Sequence, residues 1–281
     1  MNLANISTIK SLLAKYDKNM VKSLGQNFLI NPEVCPKMAE FALNFSDQAL
    51  EVGPGVGVLT TELAQRFEKV VAVELDKNLP PILNETLAEF NNIEIIFDDI
   101  LKLDVEDLIA QKFDKRPVVC ANLPYYITTP IITKMLTLPI KALIIMVQKE
   151  VAARLLAPLG DKNCGAISAF IEYYAIGEKL FDVKRGSFFP APNVDSSVIC
   201  LELRDNPPVD VDKQAFFKVI KAAFSQRRKT ILNTLSAGLD LEKPTLAKVL
   251  SSCNIAENRR AEELNIDHFA DISNRLKELE L

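Results

Sequence analysis

Tryptophan is absent from the 281-residue chain, histidine occurs once, at position 268, and glycine only nine times. The lone histidine removes every His-x-x-His spacing, and the five cysteines, at positions 35, 120, 164, 200 and 253, lie too far apart for a Cys-x-x-Cys pair. A zinc site built on either pattern is excluded, and no resident metal is expected. The odd, scattered thiols argue against a secreted disulfide framework, and the N-terminal MNLANISTIKSLLAKYDKN lacks a signal-peptide core and cleavage site. A cytoplasmic location is therefore expected. Long hydrophobic runs are missing too: Ala142–Val147 is strand-sized, whereas a bilayer span needs ~20 apolar residues. No membrane association is expected.

With 33 Lys+Arg against 37 Asp+Glu, the net charge of −4 shows no overall basic excess. The charge is uneven along the chain, since residues 206–281 hold 12 basic and 11 acidic side chains while residues 1–205 hold 21 and 26. Lys10 to Lys22 contains four lysines and one aspartate around Ile9, Leu12 and Leu13, which reads as a short helix running into a basic, mobile arm. There follow short apolar runs, 49–52, 70–73, 93–97, 118–121 and 143–147, with helical periodicity (Leu59, Leu63; Leu79, Ile82, Leu83, Leu87) between the first ones. That pattern predicts a parallel α/β sheet with ligand loops directly after the strands. The runs Ile171–Ile176 and Ser197–Leu203, around a loop with Pro190 and Pro192, predict an antiparallel pair ending the sheet. Beyond Asn206-Pro207-Pro208 only helical patterns occur, near 215–224, 230–235, 246–252 and 266–279, so a catalytic domain over 1–205 and a helical domain over 206–281 are expected.

The first loop, Glu51-Val52-Gly53-Pro54-Gly55-Val56-Gly57, has the glycines that bring backbone N–H groups close to a ligand, but position 58 is Val where a dinucleotide fingerprint needs Gly. The E-x-G-x-G-x-G pattern resembles the nucleoside loop of S-adenosylmethionine (SAM) methyltransferases. Glu74 ends the next strand 21 positions after Gly53, where a carboxylate accepts hydrogen bonds from both ribose hydroxyls. Asp98 and Asp99 follow the third strand, and position alone does not separate them as acceptors for an adenine amine. After the fourth strand stands Asn122-Leu123-Pro124-Tyr125. An exocyclic amine is a poor nucleophile because its lone pair is delocalised into the ring. The Asn122 amide oxygen and the Leu123 carbonyl can accept its two N–H bonds and favour a pyramidal nitrogen, while Tyr125 offers a ring for the base to stack on.

Together, GQNFL (25–29), EVGPGVG (51–57), VELD (73–76), NLPYYITTP (122–130), FFPAPNVDS (188–196) and FSQRRKT (224–230) resemble the bacterial small-subunit (16S) rRNA adenine dimethyltransferases of the KsgA type over nearly the whole chain. The resemblance implies a Rossmann-like SAM-binding sheet with a smaller all-α C-terminal domain. It also implies transfer of methyl groups to two adjacent adenosines near the 3′ end of small-subunit rRNA in a pre-ribosomal particle, with no obligate protein partner evident. Asn27, Leu29, Gly53, Glu74, Asp99 and Asn122 match the SAM-contacting positions, which favours Asp99 over Asp98. Phe188 matches a second ring on the far side of the target base from Tyr125; by itself it could equally be a packed corner beside prolines. Lys221, Arg227, Arg228 and Lys229 read as a solvated helix face or a phosphate contact, and their match to the family pattern favours RNA. Rival readings are a large-subunit rRNA dimethyltransferase of the antibiotic-resistance type, a DNA adenine methyltransferase, and a non-catalytic RNA-binding assembly factor. The short C-terminal region disfavours the DNA enzyme, and intact Gly53, Glu74 and Asn122 disfavour lost catalysis.

Overall fold

The computed structural model describes residues 1–18 and 27–280. The chain divides into two compact units, Met1–Ala152 with Glu178–Leu203, and Ala153–Gly177 with Arg204–Leu281. No helix among the described residues is long and apolar enough to cross a membrane.

In the first unit, helix α1 (Ile6–Lys15) and the short strand β1 (Phe28–Leu29) precede a run of alternating elements. These are α2 (Val34–Leu43), β2 (Gln48–Val52), α3 (Val58–Ala64), β3 (Lys69–Glu74), α4 (Pro80–Thr86), β4 (Ile93–Phe97), α5 (Val105–Lys112), β5 (Val118–Asn122), α6 (Thr128–Met135) and β6 (Ala142–Gln148). After helix α7 (Lys149–Leu155), helix α8 (Ala166–Tyr174) belongs to the second unit, and the chain returns to the first through β7 (Ala175–Val183), β8 (Phe188–Phe189) and β9 (Ser196–Leu203). The strands order as β4-β3-β2-β5-β6-β9-β7, parallel through the first five, with β9 antiparallel to β6. Val118 to Ala121 and Ala142 to Val147 are wholly buried, as strands covered on both faces must be, and this is why they read as unbroken apolar runs. Successive strands leave β2 in opposite directions along the sheet, so the topological switch point lies between β2 and β5, where open α/β sheets bind ligands.

The basic N-terminal segment is only partly an arm. Ile9 and Leu13 of α1 are buried with Val56, Ile82 and Leu83, and Lys15 pairs with Glu85 at 2.8 Å. Lys22, Gly25 and Gln26 lie outside the described residues.

Helices α9 (Lys213–Ala223), α10 (Ile231–Leu239), α11 (Lys243–Ser252) and α12 (Ile266–Glu278) make up most of the second unit. Asp212 caps α9 by accepting from the Ala215 N–H, and Asn265 caps α12 by accepting from the His268 N–H while His268 Nδ1 accepts from the Asn265 N–H. The lone histidine therefore closes a capping box. Two expectations are corrected. Only the end of Ile171–Ile176 is strand: β7 starts at Ala175 and lies beside β9 at the edge of the sheet, whereas residues 166–174 are helical, because Phe170, Tyr173 and Tyr174 recur at i, i+3 and i+4 and stack on Phe216 and Phe217 of α9, with centroids 5.0 to 5.9 Å apart. That aromatic cluster also gives Ala153–Gly177 to the helical unit, which a single boundary at 206 does not capture.

Candidate active site

The carboxyl ends of β2, β3, β4 and β5 open onto one cavity, lined by the glycine loop, Glu74, Asp98, Asp99 and the Asn122–Ile127 turn together with Asn27 and Leu29. Gly53 and Gly55 have φ of 73° and 60°, which side-chain-bearing residues rarely adopt, and nothing stands within 4 Å of where a Cβ on Gly53 would be. The backbone there is open to close approach. Glu74 is buried, and its two oxygens accept from the Asp76 N–H at 2.8 Å and the Gly55 N–H at 3.1 Å. Burial pushes its carboxyl up, against the pull of those two N–H groups. A carboxylate has about four lone-pair sites, so acceptor capacity remains beyond that which holds the loop.

Beneath the loop lies Glu51, a cavity residue that sequence reading noted only as the first letter of the motif. It is 1% exposed and burial pushes it up to about 8; the Thr60 hydroxyl pulls the other way, and the nearby Glu74 carboxylate acts in the same sense as burial. Its Oε2 and the buried Thr60 hydroxyl each lack a well-formed hydrogen bond. Open glycine backbone with Glu74, Asp98 and Asp99 on the same cavity fits a cationic nucleoside ligand such as SAM. Asp98 and Asp99 both line the cavity. Asp99 Oδ1 accepts from the Leu101 N–H at 3.0 Å and Asp98 Oδ1 from the Asp99 N–H at 2.7 Å.

On the opposite side, Asn122 Nδ2 donates to the Asn27 carbonyl at 3.3 Å. This contact spans 95 residues of chain and commits the amide nitrogen, which turns Oδ1 into the free acceptor. Leu123 is buried and its N–H donates to the Met146 carbonyl at 3.3 Å, which sets the peptide plane of the turn. The half-buried Tyr125 shares a 2.7 Å hydrogen bond with Ser196, and burial raises its phenol. Residues 17–278 match the family model described as ribosomal RNA adenine dimethylase.

The chain belongs to the ribosomal RNA adenine dimethylase family. Relatives named ribosomal RNA small subunit methyltransferase A include that of Alkaliphilus oremlandii, 48% identical over 95% of each chain, and that of Geobacillus sp., 46% identical over 98% of each. That of Clostridioides difficile is 45% identical over 97% of this chain and 96% of its own. Among solved structures, a dimethyladenosine transferase from Plasmodium falciparum superposes with a TM-score of 0.75 at 24% identity, over 90% of this chain and 98% of that one. The 23S rRNA methyltransferase ErmE superposes with a TM-score of 0.68 at 24% identity, over 89% and 100%. Those two likenesses speak to the fold.

Within this dimethylase, Asn27, Leu29, Gly53, Glu74, Asp99, Asn122, Leu123 and Tyr125 meet at one cavity. Phe188 does not join them. It is 3% exposed, paired with Leu29 across β1 and β8, and packed with Cys35, Met38 and Val183. The neighbouring Phe189 pairs with Phe28 and carries the Lys10 ammonium 5.1 Å above its ring. In the helical unit, Lys221 stands in the last turn of α9, whereas Arg227, Arg228 and Lys229 stand exposed in the turn before α10 and not on a helix face. None of the four forms an ion pair among the described residues, although Arg227 donates to the Lys162 carbonyl. The Ile231 N–H donates to the Arg259 carbonyl at 2.7 Å, which brings Arg259 and Arg260 beside that turn. Sequence reading missed this pair; two adjacent arginines were the available signal.

Proposed function

We propose that this chain catalyses SAM-dependent N6,N6-dimethylation of two adjacent adenosines near the 3′ end of small-subunit (16S) rRNA, acting in the cytoplasm on an assembling small subunit. Membership of the dimethylase family and the near-full-length similarity to small-subunit methyltransferases support the reaction and the substrate. The observation that carries the chemistry is the Asn122–Asn27 contact.

SAM supplies an electrophilic methyl on a sulfonium, so the protein's task is alignment of the accepting nitrogen. With its Nδ2 committed, Asn122 presents Oδ1 to one N–H of the adenine amine, and the Leu123 carbonyl takes the other. These acceptors hold the nitrogen lone pair out of conjugation with the ring, a geometry that strengthens toward the transition state. Tyr125, anchored through Ser196, gives the base a fixed face. The buried Leu29 and Ile131 wall the cavity with apolar surface that limits water. Glu74 keeps its remaining acceptor directions for the ribose hydroxyls, and Lys221, Arg227, Arg228 and Lys229 contribute phosphate contacts. The large-subunit and non-catalytic readings are not favoured by the names of these relatives.

Purified protein, SAM and unmethylated small-subunit particles test the reading, with mass spectrometry of the rRNA. Dimethyladenosine at two neighbouring positions is expected with the wild type. At saturating SAM, Asn122→Ala lowers the single-turnover rate by about a hundredfold or more while affinity for the particle holds. Absence of methylated adenosine with the wild-type protein refutes the assignment.

A further inference from the structure

Tyr126 is 55% exposed, the most exposed of the large aromatic and aliphatic side chains after Met1 among the described residues. Among the exposed large apolar side chains, only it and Leu75 line the cavity. Its neighbour Tyr125 is half-buried and tied to Ser196, while Tyr126 makes no ring contact, hydrogen bond or ion pair among the described residues. It precedes α6 in the turn that carries Asn122 and Leu123. An aromatic ring held at a cavity mouth by a structured turn, with its face in water, contributes nothing to the core that would explain it.

Resting on the reading above, we propose that Tyr126 is a substrate-positioning residue that stacks on the adenine next to the one being methylated. Extruding one base into the cavity leaves its neighbour without a stacking partner. Every base has a π-face, and single-stranded RNA is recognised largely by stacking of such bases on aromatic rings. Tyr126 replaces the lost stack and thereby favours the extruded state. In one of the two insertions the neighbour on that side is the other adenosine of the pair; in the other it is the next base along the strand, on which the same ring also stacks because every base has a π-face.

The test uses the full chain, SAM and unmethylated small-subunit particles. Tyr126→Ala lowers kcat/KM for the particle about tenfold, mainly through KM, while SAM affinity by calorimetry stays at the wild-type value. That unchanged affinity also certifies the fold. Tyr126→Phe and Tyr126→Trp keep wild-type kcat/KM, because the ring and not the hydroxyl acts. As the chain has no tryptophan, the Tyr126→Trp variant carries a single reporter, whose emission is quenched when the S-adenosylhomocysteine-loaded protein binds the particle. The inference is overturned if Tyr126→Ala stays within twofold of wild type, if Tyr126→Phe falls as far as Tyr126→Ala, if SAM affinity falls in step with activity, or if the reporter emission does not move. Failure of the wild type to methylate the particle would instead overturn the functional assignment.

Discussion

Tyr125 and Ser196 share a 2.7 Å hydrogen bond across 71 residues of chain, with the serine completely buried at the start of β9. The loop after β5 is thereby tied to a strand that is not its sheet neighbour, since β6 runs between them. A half-buried phenol that loses its partner is left unsatisfied at a cost of about 1–3 kcal/mol, and the ring becomes free to tilt. Ser196→Ala should therefore lower kcat about tenfold without changing SAM affinity. In a Tyr125→Phe background the same substitution should have no further effect on kcat. Additive losses in that double-variant comparison would assign Ser196 a role in β9 packing alone.

Glu51 makes the protein's stability fall with pH. Its carboxyl titrates near 4.5 in the unfolded chain and near about 8 when folded. Between those values the native state holds a proton that the unfolded state has released, so stability drops as pH rises through that window and is level above it, by up to about 1.4 kcal/mol per pH unit. Denaturant titrations at pH 5.5, 7 and 8.5 should show the decline in wild type and a flatter profile in Glu51→Gln. Glu74, also raised by burial, contributes in both proteins, so the difference between them isolates Glu51. A cationic ligand favours the ionised carboxyl, and SAM affinity should accordingly rise with pH toward 8 in wild type more than in the variant. Parallel pH profiles would remove Glu51 from the proton balance of the site.

Arg227 and Arg228 project from an exposed turn without ion-pair partners among the described residues. Reversing both to Glu should weaken binding to small-subunit particles and make the log–log salt dependence shallower by about 0.7–0.9 per lost phosphate contact, with SAM affinity intact. Arg260→Glu should reduce the slope further, because the Ile231–Arg259 hydrogen bond sets that arginine pair beside the same turn. Equal slopes in a salt series would make the turn an ordinary solvated one.

Gly238 of α10 allows close approach to α9: a Cβ there would stand 2.5 Å from Ala222 Cβ and 2.8 Å from its Cα. Helix propensity alone would make Gly238→Ala stabilising by up to about 1 kcal/mol. The clash with a backbone atom should outweigh that by forcing the helices apart, for a net loss of about 1–3 kcal/mol and a lower Tm by calorimetry. A raised Tm would show that the two helices separate at little cost.

The parallel strands and their ligand loops could be read from the chain because each is a local signal. Strands covered on both faces must be unbroken apolar runs, and the residues directly after each run must lie at the sheet's carboxyl edge, which placed Gly53, Glu74, the Asp98-Asp99 pair and Asn122 around one site in advance, with the choice of Asp99 resting on the resemblance alone. Positions determined by contacts between distant segments carried no such mark. Residues 166–174 are apolar enough for either a strand or a helix, and stacking on Phe216 and Phe217 selected the helix. Phe188 sits in a motif that matches a base-clamping ring, yet its packing against Cys35 and Met38 keeps it in the core. Asn27 orienting Asn122, Ser196 anchoring Tyr125 and Arg259 beside Ile231 are pairings across 95, 71 and 28 residues. Periodicity and composition report what a segment buries; only the assembled sheet and the packed helices decide against what.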